Sequence, residues 1–236
     1  SIFSSSAEYK LYINTSRTEL ARIAAEFNRI CLFVHYSDNN TISDFDIELF
    51  SSIKNVVSEI VFVTNSLLSE EETAKISVLS SLILQRPNIG YDFGAWKDAI
   101  DWIGFDRLST YDQIIFANNS VIPPVKDLSL VFAEMEQKNF DVWGITMHED
   151  SGYSEWLGRN ISRHLQSYFF VVGKKVFMQS WFKEFWTLLD YPLQFSDAVS
   201  YGELGFSDTL AANSVPFSAY FGEYESLNKK FNCDIV

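Results

Sequence analysis

Arg86-Pro87-Asn88-Ile89-Gly90-Tyr91-Asp92-Phe93-Gly94-Ala95-Trp96 joins an apolar, strand-like run to a helix-like one. A plain connector needs a Gly or a Pro; this one also carries an amide, a carboxylate and aromatic rings. Gly90 and Gly94 allow unusual backbone dihedrals or the close approach of a ligand. Asn88 and Asp92 can read hydroxyls or an imino group. Tyr91, Phe93 and Trp96 offer faces for stacking on a base or a sugar. The plainer reading is a tight turn with a capping Asp and core aromatics. Both readings put a strand before the segment and a helix after it.

Working outward, the alternation recurs. Residues 30–34 and 59–64 are short apolar runs that read as buried strands, 81–85 is a weaker third and 112–117 a fourth. Helical spacing marks 18–28, 44–57 and 96–103, and Ser69 caps another helix whose first turn holds Glu70, Glu71 and Glu72. Further along, 128–138 reads as helix, 141–146 and 166–172 as strands, 175–189 and most of 197–213 as helix, and 216–221 as a final strand. Strands alternating with helices imply an α/β fold, a mostly parallel sheet with helices on both faces. Such sheets bind ligands at the carboxyl ends of their strands. No repeat, low-complexity tract or Gly/Ser linker interrupts the pattern, so one domain is expected over residues 1–236.

Composition narrows the class. The chain has 236 residues, 47% hydrophobic and 21% charged, which is globular rather than disordered. Its 18 basic and 31 acidic residues give a net charge of −13, a surface that repels nucleic acid and anionic lipid. Cys31 and Cys233 form no CxxC, which argues against a zinc site or a disulfide framework and suits a reducing, cytoplasmic compartment. No apolar run reaches the roughly 20 residues that span a bilayer. The chain opens on Ser1 without Met and reads as cut from a longer protein. HExxH, GxSxG and GxxxxGK[ST] are absent, against a zincin, an α/β-hydrolase and a P-loop enzyme.

Three further segments carry chemistry. Asp112 to Ser120 is an apolar strand that delivers Asn118, Asn119 and Ser120 to its end, before Pro123-Pro124. Amides and a hydroxyl are poor ligands for Mg²⁺ or Mn²⁺, which favour carboxylates, but they suit a sugar or a phosphate. An Asn-rich turn is the alternative. Arg159, Arg163, His164 and Gln166 form a basic, amide-rich patch able to neutralise a diphosphate leaving group. His164 can equally be a structural hydrogen-bonder, and His35 and His148 have no spacing that pairs them. In Tyr201 to Leu210, Glu203 opens a helix after Gly202; it can serve as a base toward an acceptor hydroxyl or compensate the helix dipole.

These residues resemble the rhamnan synthesis protein F family of bacterial polysaccharide glycosyltransferases. The resemblance rests on Asn88 to Trp96, Asn118-Asn119-Ser120 with Pro124, Asp141-Val142-Trp143-Gly144, His164 to Phe169, Phe182 to Trp186 and Glu203-Leu204-Gly205, over roughly residues 30–225. It implies a GT-A-like fold whose first strands hold the nucleotide, and an inverting transferase with a late acid as base. The family usually has Asn-Asp-Ser where this chain has Asn118-Asn119-Ser120, which puts a metal at that position in doubt.

The resemblance and the residues together give one expectation. Residues 30–145 hold a nucleotide diphosphate sugar, dTDP-rhamnose foremost, and 146–236 face a lipid-linked or polysaccharide acceptor, at the inner face of the bacterial membrane through the full-length protein. Asn88, Gly90, Tyr91, Asp92, Asn118, Asn119, Ser120, Arg163 and Gln166 bind the donor, His164 assists the leaving group and Glu203 is the base. No protein-held metal is assigned, with Mg²⁺ or Mn²⁺ left open. The rival expectation is a non-catalytic carbohydrate-binding or scaffold domain, favoured by Asn119.

Overall fold

A computed structural model describes residues 26–120 and 127–221 of the chain. The central strand β1, Arg29–His35, runs parallel to β2, Glu59–Thr64, on one side and to β4, Gln113–Asn118, on the other. Beyond β2 lies β3, Leu82–Gln85, also parallel. Beyond β4 the sheet continues through β9 (Phe169–Gly173), β5 (Val142–His148) and β10 (Phe217–Phe221). Strand β9 is antiparallel to both of its neighbours, whereas β10 is parallel to β5. The short β8, His164–Leu165, adds to the end of β5. A separate hairpin pairs β6 (Gly152–Ser154) with β7 (Arg159–Ile161). This is an α/β sheet as expected, mostly parallel with one inverted strand inside it, and strands on both sides of residue 145 share it.

The strands read as continuous apolar runs because both faces of the sheet are covered. Their side chains alternate between two cores. Ile30, Leu32, Val34, Ile114, Phe116, Phe170 and Val172 join one; Cys31, Phe33, Ile115, Val171 and Phe169 join the other. The first core is completed by α3 (Tyr91–Ile103) and α7 (Ser180–Leu188), with Trp186 stacked on Phe116 at 5.2 Å. The second is completed by α1 (Asp44–Lys54), α2 (Glu70–Ser77) and α5 (Leu128–Lys138). Ser43 and Ser69 cap α1 and α2. Trp96 is fully buried and donates its indole N–H to the Leu32 carbonyl at 2.9 Å, so a polar edge enters the core with its partner supplied.

Several boundaries differ from expectation. Helix α3 starts at Tyr91 rather than at residue 96, because consecutive positive φ angles at Gly90 (80°) and Tyr91 (52°) turn the chain at once. The helix expected over 175–189 is two, α6 (Lys174–Phe177) and α7, separated by the extended backbone of Gln179. The run expected as strand from 166 begins at Phe169. The helix expected over 197–213 is α8 (Phe195–Asp197), a π-helical turn (Ala198–Glu203) and α9 (Leu204–Ala212). A four-residue helix, α4 (Phe105–Leu108), follows α3. The expected helix over 18–28 lies outside the described residues except for its last three positions, which are not helical; Pro123, Pro124 and Cys233 also lie outside. No helix among the described residues is long and apolar enough to cross a membrane.

Candidate functional site

The parallel strands β1 to β4 end at His35, Thr64, Gln85 and Asn118, and the polar residues of the chain gather beyond those ends. A cleft of about 440 Å³ opens there, lined by Tyr36, Asp38, Thr41, Phe45, Asn119 and Ser120 among others. Asp46 forms part of its wall. Burial works to raise the Asp46 carboxyl, but nearby His35, 3.7 Å away, and hydrogen bonds from Ser43 and Asn119 outweigh it and hold the group at about 2. A second cleft, of about 260 Å³, is lined by Asn88, Ile89, Gly90, Tyr91, Pro192 and Leu193.

Asp92 and Asn118 line neither cleft, but Asp92 follows Tyr91 of the smaller and Asn118 precedes Asn119 of the larger in the chain. Asn118 donates from Nδ2 to Asp92 Oδ2 at 2.8 Å, and its Oδ1 accepts the Ser120 backbone N–H at 3.0 Å. Burial pushes the Asp92 carboxyl up to about 6; the Asn118 hydrogen bond opposes this and the charge of Glu203 adds to it. Glu203 therefore acts electrostatically on Asp92, although 111 positions separate them in sequence (203 − 92).

Glu203 is held from two sides. Its Oε2 accepts the Ser167 backbone N–H at 2.6 Å, and its Oε1 lies 3.4 Å from His164 Nε2. Burial works to raise Glu203, but the His164 and Ser167 hydrogen bonds prevail and lower it. Burial works against a charged His164, yet its hydrogen bonds to Glu203 and to the Ser162 carbonyl raise it. Each partner favours the charged form of the other. The carboxylate closes the π-turn and spends its hydrogen bonds on β8–β9, not on its own helix N-terminus. Glu203 thus makes no capping hydrogen bond to α9, although it stands at the N-terminus of that helix. Gly202 makes it possible: a Cβ there would stand 2.4 Å from Phe93. Single π-helical turns inside helices are frequent at functional sites.

The remaining expected residues divide. Asn119 turns toward β1: its Oδ1 accepts from Tyr36 N at 3.1 Å, and its Nδ2 donates to Tyr36 O at 3.0 Å and Asp46 Oδ1 at 2.9 Å. Gln166 accepts from Thr146 Oγ1, beside Tyr168. Arg163 is engaged by Glu149, by Asp150 and by the face of Phe217. Arg159 is pinned to Asp208 and to the Ser200 carbonyl. Asn88 lines the smaller cleft and is exposed.

Some site residues escaped the sequence. His148 stacks on His164, rings 5.3 Å apart at 12°, because it is the register partner of His164 across β5 and β8. Arg86 organises the loop before α3 by donating to Asn65 Oδ1, Asp98 Oδ2 and the Ile89 carbonyl. Tyr191 packs where a Cβ on Gly90 or Gly94 would stand, 2.8 and 2.9 Å from its ring. The larger cleft, after β1, had one legible signal, the polar run Tyr36 to Asn40 at a strand end.

Among the described residues no group of three or more His, Cys, Asp or Glu side chains is placed to hold a metal ion. Asp92 is the carboxylate beside the Asn118 amide, a donor set that suits Mg²⁺ or Mn²⁺ only when substrate phosphates supply further oxygens.

A family profile for rhamnan synthesis protein F matches residues 60–236, and the chain belongs to this family of polysaccharide synthesis. It is 32% identical over 143 residues to an uncharacterized protein, y4gN, of Sinorhizobium fredii, covering 58% of the chain and 35% of that protein. The chain thus spans about a third of the length of the curated relative it matches. Similar solved structures include glucosyl-3-phosphoglycerate synthase of Mycobacterium tuberculosis with phosphoglyceric acid (TM-score 0.49, 12% identity, 87% of this chain and 74% of that one). Another is the Mn/GDP form of core-mannan synthase A of Aspergillus fumigatus (TM-score 0.41, 12% identity, 76% and 69%).

Proposed function

We propose that this chain is a glycosyltransferase domain that moves a 6-deoxyhexose, L-rhamnose foremost, from a nucleotide diphosphate to a growing bacterial surface glycan with inversion. Family membership supports the reaction class. The observation that carries the assignment to this site is the Asp92–Asn118 hydrogen bond, which ties the chain neighbours of two strand-end clefts together under the influence of Glu203.

In this reading the nucleoside occupies the larger cleft, with Tyr36 and Phe45 offering ring faces and Asp38 and Thr41 hydroxyl-binding groups. Asn118, Asn119 and Ser120 lie along the diphosphate, and Asn88, Gly90, Tyr91 and Asp92 face the sugar. Gln166 orients the sugar through Thr146 and Tyr168. Glu203 takes the proton of the acceptor hydroxyl, whose oxygen attacks the anomeric carbon as the bond to the diphosphate breaks. His164 and Arg163 contribute positive charge toward the departing diphosphate. A Mg²⁺ or Mn²⁺ ion, held by Asp92 and the donor phosphates, would supply further charge neutralisation. Residues 30–145 form the donor side and 146–236 the acceptor side, acting at the cytoplasmic face of the membrane on a lipid-linked or polysaccharide acceptor.

One observation favours a scaffold role: the Asn119 amide, at the position where the resemblance implies an acid, is spent on Tyr36 and Asp46. Calorimetric titration with nucleotide sugars, dTDP-rhamnose among them, with Mn²⁺ and with chelator, separates the readings. Selective donor binding supports the transferase; a folded protein that binds none is a scaffold.

A further inference from the structure

Three large aromatic side chains from three separate elements meet on the surface. Tyr91 opens α3, Phe195 opens α8, and Trp156 sits in the turn between β6 and β7. Phe195 contacts both others, at 6.1 Å from Tyr91 and 5.9 Å from Trp156, ring to ring. All three stay open to solvent, at 37% for Tyr91 and 60% for each of the others. Isolated exposed rings are ordinary; exposed rings in mutual contact form a continuous apolar face.

The face is built and held. Tyr91 carries a φ of 52°, a backbone angle that a bulky residue rarely adopts, and this angle sets the residue directly before Asp92. The hairpin bearing Trp156 is fastened by Arg159 to the Ser200 carbonyl at 2.8 Å, and by Arg159 and Ser162 to Asp208. Phe195 leads directly into the π-turn that ends in Glu203. Each ring is thus tied, through one short segment, to a carboxylate of the site or to the turn that carries one. Tyr91 also lines the smaller cleft, where the exposed Asn88 side chain and the backbone around Gly90 supply hydrogen-bonding groups.

We infer that Phe195 and Trp156, continued by Tyr91 at the edge of the donor-sugar cleft, form a stacking platform for the acceptor glycan, taking the C–H-rich faces of its deoxyhexose rings. This rests on the transferase reading and adds the acceptor's binding surface to it. Pyranose rings combine an apolar face with a rim of hydroxyls, and a 6-deoxy sugar replaces one hydroxymethyl by a methyl. An aromatic face bordered by an amide-bearing cleft matches that amphipathy. A bilayer fits less well, since a net charge of −13 opposes the anionic headgroups of a bacterial membrane. Continuity with Asp92 and the π-turn places the glycan end within reach of the chemistry.

The test titrates the chain with a synthetic linear tri-rhamnoside, maltotriose as control, and separately with dTDP-rhamnose, for the wild type and for Trp156→Ala, Phe195→Ala and Trp156→Phe. The expected result is tri-rhamnoside binding weakened about tenfold in each alanine variant, largely retained in Trp156→Phe, with dTDP-rhamnose binding unchanged throughout. Unchanged tri-rhamnoside affinity in the alanine variants overturns the platform. So does donor binding by a wild type that ignores the tri-rhamnoside, an outcome that leaves the transferase reading standing. Loss of both ligands in a folded wild type overturns the function and the platform together. Vesicles of phosphatidylglycerol that bind the wild type but not Trp156→Ala would reassign the face to the membrane.

Discussion

Asn118 Nδ2 reaches Asp92 Oδ2 at 2.8 Å, bridging the end of β4 and the first turn of α3. The amide can only donate through that atom, so the contact favours an ionised carboxylate, while burial and the Glu203 charge oppose ionisation. The balance leaves Asp92 near 6, and it defines what the residue does to stability and to binding.

The folded protein holds the Asp92 proton more tightly than the unfolded chain, whose carboxyl titrates near 3.8. Between about pH 4 and 6 the native state binds the extra proton, so this group lowers stability as pH rises. Asp92→Asn is expected to be more stable than wild type at pH 7, by about 3 kcal/mol, and within about 0.5 kcal/mol of it at pH 4. Urea unfolding at both pH values checks this. Donor affinity in wild type should fall as pH drops below about 6, and should be lost in the variant.

Glu203→Gln keeps an oxygen for the Ser167 N–H and removes the charge beside His164. Transfer should fall by about 10²–10⁴ with the fold intact. The His164 ring should also titrate at lower pH, because its charged partner is gone, and proton NMR reads that shift directly. The pair's contribution to stability has two edges. The Glu203 part is lost as pH falls through its lowered native value, and the His164 part as pH rises through its raised one.

Asn119→Asp, which puts at this strand end the acid that the resemblance implies, should be destabilising here. The donor that serves Tyr36 O and Asp46 Oδ1 would become an acceptor facing both. A cost of about 1–3 kcal/mol is expected at pH 7, smaller when Asp46→Asn is combined with it. A double-mutant cycle by chemical denaturation measures the coupling.

Gly202→Ala puts a methyl 2.4 Å from the Phe93 ring in a packed core. The expected cost is about 1–3 kcal/mol. Because Gly202 precedes Glu203, activity should fall further than stability explains, and Phe93→Leu should restore part of both by making room. Thermal unfolding and turnover, measured together, separate the two effects.

Much of the sheet was legible because periodicity is local. Residues 59–64 and 128–138 are strand and helix as expected, and Ser69 caps α2, since burial on both sheet faces and capping chemistry leave marks within a few residues. The break at Gln179 left no mark, having neither Gly nor Pro, and the π-turn was hidden because Gly202 answers to Phe93, far away in sequence. The glycines of the Asn88 to Trp96 segment were legible as special. Their reason was not: both Gly90 and Gly94 make room for Tyr191.

The sequence by itself determined the alternating α/β layering, the polar strand ends at Asn118 and the candidacy of Asp92 and Glu203, because residue type and spacing are read within single elements. The tertiary structure alone decided which of these meet. Asp92 joins Asn118, Glu203 joins His164 and Ser167, His148 stacks on His164, and Asn119 turns aside to Tyr36 and Asp46. Those pairings span up to 83 residues, as between Tyr36 and Asn119, and they arise from sheet order and register. Register is set by the packing of whole strands against two cores, a property no short window of residues contains.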